Sequence, residues 1–260
     1  GFNMVIISEL VLRLLQAILR RRWQAVVAGL IVIGLYTILV GANAAVVRAA
    51  IMSGVLVVGR LLDRPTYLPA SLAFVALVMT LFNPLVLWSI SFQLSFFAVL
   101  GLALFTDPLS HRFEALLHWL LPSGLARQVG LLLNEPLIVT LASLALTMPL
   151  TAIYFQRVSL LVLVVNVLIV PVQAALLLVG GLAVLLAFVA PALAQVIFWA
   201  DMLLLSWSIT IVRMFAGLPN ADVSLTLDGR LIALLYILIL GGAIVNATRP
   251  PWLRPILRWL

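Results

Sequence analysis

The sequence predicts an all-α, polytopic transmembrane helix bundle of about nine spans. Three observations carry that reading. Of 260 residues, 65% are hydrophobic and only 9% charged, whereas about a quarter are charged in soluble domains. Apolar runs of about 20 residues, the length that crosses a hydrocarbon core, recur along the chain. Arginine, which stands at every strongly basic position because the sequence has no lysine, clusters at alternate ends of those runs, as membrane proteins place positive charge in cytoplasmic loops.

The expected spans, in order, are Phe2–Leu19, Trp23–Val40, Ala45–Leu62, Tyr67–Phe82, Leu85–Phe105, Leu137–Phe155, Leu160–Phe188, Leu193–Phe215 and Leu231–Val245. The first is followed by Arg20, Arg21 and Arg22, the third by Arg60 and Arg64, the fifth by Arg112 and Arg127, and the ninth by Arg249, Arg254 and Arg258. These ends share one side if the spans alternate. The opposite loops hold only Arg157, Arg230 and the helix-borne Arg48. The bias therefore starts the chain outside and ends it in the cytoplasm. It also accounts for most of the +7 net charge. The seventh run is too long for one straight crossing and contains Pro171, so it reads as a broken helix near that residue: one kinked, tilted helix or two half-helices.

Between the fifth and sixth spans, residues 106–135 form a cytoplasmic-side amphipathic segment. Asp107 before Pro108 is a good helix start, an acidic cap with proline in the first turn. Leu109, Phe113, Leu116, Leu117, Leu120 and Leu121 form one stripe, with His111, Arg112, Glu114 and His118 opposite. Such a helix is expected to lie in the membrane interface. Two histidines two turns apart are poorly spaced to chelate one ion, so this face reads as solvated and no metal is expected. Zero cysteine excludes disulfides, thiolate metal sites and a cysteine nucleophile. The opening "GFNMVIISEL" has no basic n-region and no signal cleavage site, and reads as the interior of a longer chain.

Polar groups inside spans are costly and each is a functional hypothesis. Arg48 lies in "ANAAVVRAAIMSG", on a helix whose Ala45, Ala49 and Ser53 give a small-residue face. Snorkelling to the outer interface is its alternative. In "WSISFQLSFFAVLGL", Ser91 and Ser95 share one helical face, and Ser89 and Gln93 another. Helix-to-helix glue and a polar path are both open readings there. Asn166 and Gln173 flank Pro171, where a freed carbonyl facing a wet cavity hints at a translocation path. Asp201 is the only deeply placed acid. There is no H-E-x-x-H, G-x-S-x-G or phosphate-cradling glycine loop, so no catalytic centre and no cofactor are expected.

Several segments, in order, resemble the competence domain of ComEC-type proteins, inner-membrane channels for DNA uptake in transformation. "GFNM" resembles the tail of that family's H-L-L-A-I-S-G-x-H/N helix, and "VVRAAIM" (46–52) its R-A-x-x-M segment. "FNPLVLWSISFQLSFFAVLG" (82–101) is similar to N-P-x-x-x-x-x-x-G-F-Q-L-S-F-x-A. "MPLTAIYFQRVSLLVLVVNVLIVP" (148–171) is similar to P-x-x-x-x-F-x-x-x-S-x-x-x-x-x-x-N-x-x-x-x-P, and "AGLPNAD" (216–222) to a short proline loop. The resemblance spans nearly the whole chain. It departs at Ser91, where the family usually has Gly, and at Ser89 and Ile90, where an acidic residue often stands.

The resemblance implies a multi-pass protein of the bacterial inner membrane that passes single-stranded DNA inward. Its implied partners are single-stranded DNA, membrane lipid, OB-like and metallo-β-lactamase-like domains of the full-length chain, an external DNA receptor and a cytoplasmic helicase or translocase. It gives the polar residues a task, because a charged phosphate needs a hydrated path through hydrocarbon and conduction needs weak, releasable contacts. Arg48, Ser91, Gln93, Ser95, Asn166 and Gln173 are the expected path residues. Phe92, Phe96 and Phe97 either stack bases or pack against neighbouring helices. The alternative function is a transporter or exporter of small solutes or lipids using the broken seventh helix.

Overall fold

The computed structural model describes residues 2–19, 21–62, 67–159, 161–218, 222–224, 230, 234–239 and 241–242. The ninth expected span is therefore described only in part. Arg20, Arg64, Arg249, Arg254 and Arg258 lie outside the described residues, as does the centre of "AGLPNAD" at 219–221.

Helices dominate: α1 (Phe2–Ile18), α2 (Arg22–Leu39), α3 (Ala44–Leu61), α4 (Leu68–Phe82), α5 (Ile90–Leu120), α6 (Ser123–Phe155), α7 (Val162–Ala187) and α8 (Pro191–Ala216). A 3-10 helix (Pro84–Trp88) joins α4 to α5. Among the described residues, five stretches are long and apolar enough to cross a membrane: Arg22–Leu39, Ile90–Leu120, Pro136–Phe155, Val162–Ala187 and Pro191–Ala216. Ala44–Gly59 and Leu68–Phe82 are shorter apolar helices. The protein is a helical membrane protein, and the first four expected spans match α1 to α4 within a residue or two.

Local chemistry sets the boundaries. The α2–α3 turn places Gly41 at φ +100° and Ala42 at φ +46°, and the Ala42 amide donates to the Thr37 carbonyl at 3.0 Å. This left-handed step closes the helix end. α4 stops at Asn83 because Pro84 disfavours helical geometry in the residue before it. The Asn83 side chain then accepts from the Leu85 amide at 3.0 Å and starts the 3-10 helix. α6 ends at Gln156 in the left-handed region, φ 52°.

Residues 106–135 do not form a separate amphipathic helix. Asp107 and Pro108 lie in the middle of a continuous 31-residue α5, and residues 123–135 are the first turns of a 33-residue α6. The two run as an antiparallel hairpin turning at Leu121 and Pro122. Their close packing overrides the local start signal: Gly101 lets the Ala142 backbone of α6 approach so closely that any Cβ there would overlap it. Further along, Ser110 and Asn134 hydrogen-bond to each other (2.8 Å from Asn134 Nδ2), and Asn134 also donates to Glu114 at 3.2 Å. At about 46 Å, α5 exceeds the ~30 Å hydrocarbon core.

Of the two readings at Pro171, a single helix holds and two half-helices do not: α7 is one continuous helix from Val162 to Ala187. A proline removes one amide and disturbs nearby carbonyls. Here Trp207 Nε1 on α8 reaches the Leu168 carbonyl, three residues before Pro171, at 3.4 Å. The same device recurs at Pro149 in α6, where Tyr236 donates its hydroxyl to the Leu146 carbonyl at 2.6 Å. In both helices a side chain from elsewhere binds the carbonyl three residues before the proline, next to the one (Val167, Ala145) that the missing amide leaves open.

Two clusters form the core. Met4, Leu12, Val26, Ile33, Ala49 and Val57 join α1, α2 and α3. Val75, Met79 and Phe92 join α4 to α5, with Val47, Ile51 and Met52 of α3 packed against them. α7 packs mainly on α8, then on α6 and α1. A two-stranded antiparallel ribbon, β1 (Arg157–Ser159) with β2 (Asp222–Ser224), ties the end of α6 to the end of α8. Arg157 pairs with Asp222 across it at 3.3 Å.

Candidate functional site

Several hydroxyls within the helices are satisfied by their own backbone. Thr37 donates to Ile33, Thr80 to Ala76 and Thr140 to Pro136, each at 2.7 Å, and Thr147 to Ser143 at 2.9 Å. A hydroxyl bonded to the carbonyl one turn back costs little in hydrocarbon and carries no further information. The side chains that depart from this habit are the informative ones.

Arg48 departs furthest. It sits in the second turn of α3 and is buried among the helices, 6% exposed. Its Nε donates to Ser95 Oγ on α5, and Nη1 lies 3.3 Å from the Met52 sulfur, one turn along α3. Among the described residues it has no carboxylate partner. The spacing Arg48–Met52 is the i, i+4 relation that stacks side chains on one helical face. That face meets α5 because Val47, Ile51 and Met52 close over the Phe92 cluster. A guanidinium has five N–H donors, and a thioether is a weak acceptor. The bond to Ser95 leaves donor capacity for an anion.

Gln93, one turn before Phe97, points elsewhere. Its Nε2 donates to the Leu87 carbonyl at 2.8 Å, and its Oε1 accepts from the Tyr154 hydroxyl at 2.5 Å. The amide therefore ties the 3-10 helix, the start of α5 and the end of α6 into one knot. Tyr154 and Leu87 carry no motif signal; a tyrosine within two residues of a span's end, with a hydroxyl to satisfy, is the only available hint. Ser91 is exposed at the start of α5.

Phe92 is not available to stack bases. It is 4% exposed, packed on Val75 and Met79. Its ring stacks on Phe96 with centroids 5.7 Å apart and an interplanar angle of 25°. Phe96 meets Phe97 edge-on, and Phe97 meets Tyr236 at 5.2 Å. This aromatic series is packing between α4, α5 and the described turns at 234–239. Asn166 and Gln173 are half-buried on α7 and hydrogen-bond to none of Arg48, Gln93 and Ser95. The structure thus brings Arg48 and Ser95 together, sends Gln93 to a neighbouring knot, and leaves Asn166 and Gln173 on α7, outside both.

A family described as "Competence protein" matches residues 1–250 of this chain. The chain is 30% identical over 204 residues to ComE operon protein 3 of Bacillus subtilis (strain 168), covering 78% of this chain and 24% of that protein. The match thus spans about a quarter of that relative's length. No solved structure matches the chain.

Proposed function

This chain belongs to the competence protein family, and from that premise we propose that it is the membrane channel portion of a DNA-internalisation protein, passing single-stranded DNA inward. The observation that carries the reading is Arg48, a buried guanidinium without a carboxylate partner among the described residues, held by the hydroxyl of Ser95. Burying a charge away from water is expensive unless something compensates it. A passing phosphodiester is a partner of the right charge and shape, and it displaces Ser95 in turn. Arginine suits this task because its charge is delocalised and weakly hydrated, so it grips and releases. Conduction demands that release.

In this reading the chain lies in the bacterial inner membrane as a multi-pass bundle and conducts without catalysis. A cytoplasmic helicase or translocase pulls the strand, an external receptor delivers it, and OB-like and metallo-β-lactamase-like domains belong to the longer chain. The solute-exporter alternative rests on a broken seventh helix. α7 is continuous, so no observation favours it.

The test is a comparison of Arg48→Ala, Arg48→Lys and Ser95→Ala in the full-length chain, scoring transformation frequency beside membrane abundance. Arg48→Ala is expected to cut transformation at least tenfold at parental abundance, with Arg48→Lys partly active and Ser95→Ala mildly affected. Parental transformation by Arg48→Ala at normal abundance sinks the proposal. Loss of the protein from the membrane assigns Arg48 to helix packing.

A further inference from the structure

α5 and α6 do not close along their whole length. Between their arms, short of the hairpin turn, lies a cavity of about 560 Å³. Its wall is mixed. Leu117 and Ile138, both buried, line it together with the exposed Leu131 and Val139. Ser110, Glu114, His118, Arg127 and Asn134 supply its main polar and charged groups.

The membrane fixes its depth. The stretch of α6 apolar enough to cross begins at Pro136, so Asn134, bonded to Ser110 across the helix pair, stands at the edge of the hydrocarbon. Ile138 and Val139 lie inside that edge. Glu114 is one turn beyond Ser110, about 6 Å along α5, within the roughly 5–8 Å that headgroups add on each side of the core. The cavity thus runs from acyl chains into headgroups, the depth at which basic pockets between helices bind lipid headgroups.

Two opposite charges line this cavity without joining. Glu114 on α5 and Arg127 on α6 make no ion pair with each other. Asn134 donates to Glu114 at 3.2 Å, which leaves most of the carboxylate's acceptor sites open. Arg127 brings five donors in a planar fork that suits phosphate. A ligand that satisfies both carries an ammonium and a phosphate close together on an apolar tail. Choline has no N–H to give Glu114, and a glycerol headgroup brings it no cation. We propose that the cavity is a binding site for phosphatidylethanolamine, with the ammonium on Glu114, the phosphate on Arg127 and an acyl chain along Ile138 and Val139.

The site shares no residue with the Arg48–Ser95 pair, so this inference stands independently of DNA passage, and so does its test. The full-length protein in mild detergent is offered equal amounts of phosphatidylethanolamine, phosphatidylcholine and phosphatidylglycerol, and the lipid retained is read by native mass spectrometry. Phosphatidylethanolamine is expected to be retained at least fivefold over either competitor. Glu114→Gln is expected to erase the preference over phosphatidylcholine, and Arg127→Gln to weaken retention of phosphatidylethanolamine itself. Both side chains are exposed, so these changes leave the helix packing in place. Equal retention of the three lipids, or a preference that neither variant alters, overturns the proposal. Displacement of the lipid by soluble glycerophosphoethanolamine at the same concentration assigns the cavity to a free zwitterion and overturns it too. If a variant does not accumulate, the parental protein decides: retention must fall as the ethanolamine nitrogen is methylated one, two and three times, and a flat series sinks the idea.

Discussion

Gly101 shows how one missing side chain sets a helix pair. The Ala142 backbone of α6 occupies the space its Cβ would take, and Ala142 itself is fully buried. Gly101→Ala must push α5 from α6 or strain both. Overpacking of this kind costs about 1–3 kcal/mol, so the variant is expected to unfold several degrees lower in detergent, measured by a thermal scan. An unchanged midpoint means the helices do not approach as closely as described. Side-chain roles were less legible in the sequence than the spans were. Helical period groups Ser91 with Ser95 and Ser89 with Gln93, but period cannot say what each face meets. Arg48 and Ser95 do meet. Gln93 is claimed by Tyr154, sixty-one residues away, and no local pattern announces such a partner. Phe92 reads equally as a stacking platform or as core until α4 supplies Val75 and Met79 to bury it.

At the scale of elements, spans were legible because hydrophobic length is a property of the sequence alone. Breaks were not. Asp107–Pro108 reads as a helix start, and Pro171 leaves one kinked helix or two half-helices open, yet both lie inside continuous helices. What decides is the neighbour: α6 lies along α5 past Asp107, and Trp207 covers the backbone beside Pro171. The α5 claim has a direct ruler. The chain has no native cysteine, so spin labels at Ser91→Cys and His118→Cys report alone. Twenty-seven residues of uninterrupted helix separate the pair by about 40 Å. A right-angle turn at Asp107 into the interface plane shortens that to about 29 Å. Pulsed dipolar spectroscopy separates the two values, and the shorter one restores the flat amphipathic segment.

For the whole molecule, the β1–β2 ribbon constrains topology more tightly than the arginine bias does. Strands that hydrogen-bond must lie on one side of the membrane, so an even number of crossings separates Ser159 from Asp222. α7 and α8 supply two. The bias puts Arg21 and Arg22 in the cytoplasm, and four further crossings by α2, α3, α4 and α5, then a return by α6, bring the ribbon outside. The same count places the first turns of α3 and α5 at the outer face. On that count Arg48 and Ser95, both near those starts, lie in the outer half of the bundle, where the proposed DNA path would have its entrance. Single cysteines at Arg21, Ser159 and Ser224 test the whole count with a membrane-impermeant maleimide. Ser159→Cys and Ser224→Cys are expected to react in intact cells stripped to the inner membrane, and Arg21→Cys only after permeabilisation. Labelling of 159 and 224 from opposite sides breaks the ribbon. Labelling of both only after permeabilisation reverses the bundle, and moves the Arg48–Ser95 contact from the entrance of the proposed path to its exit.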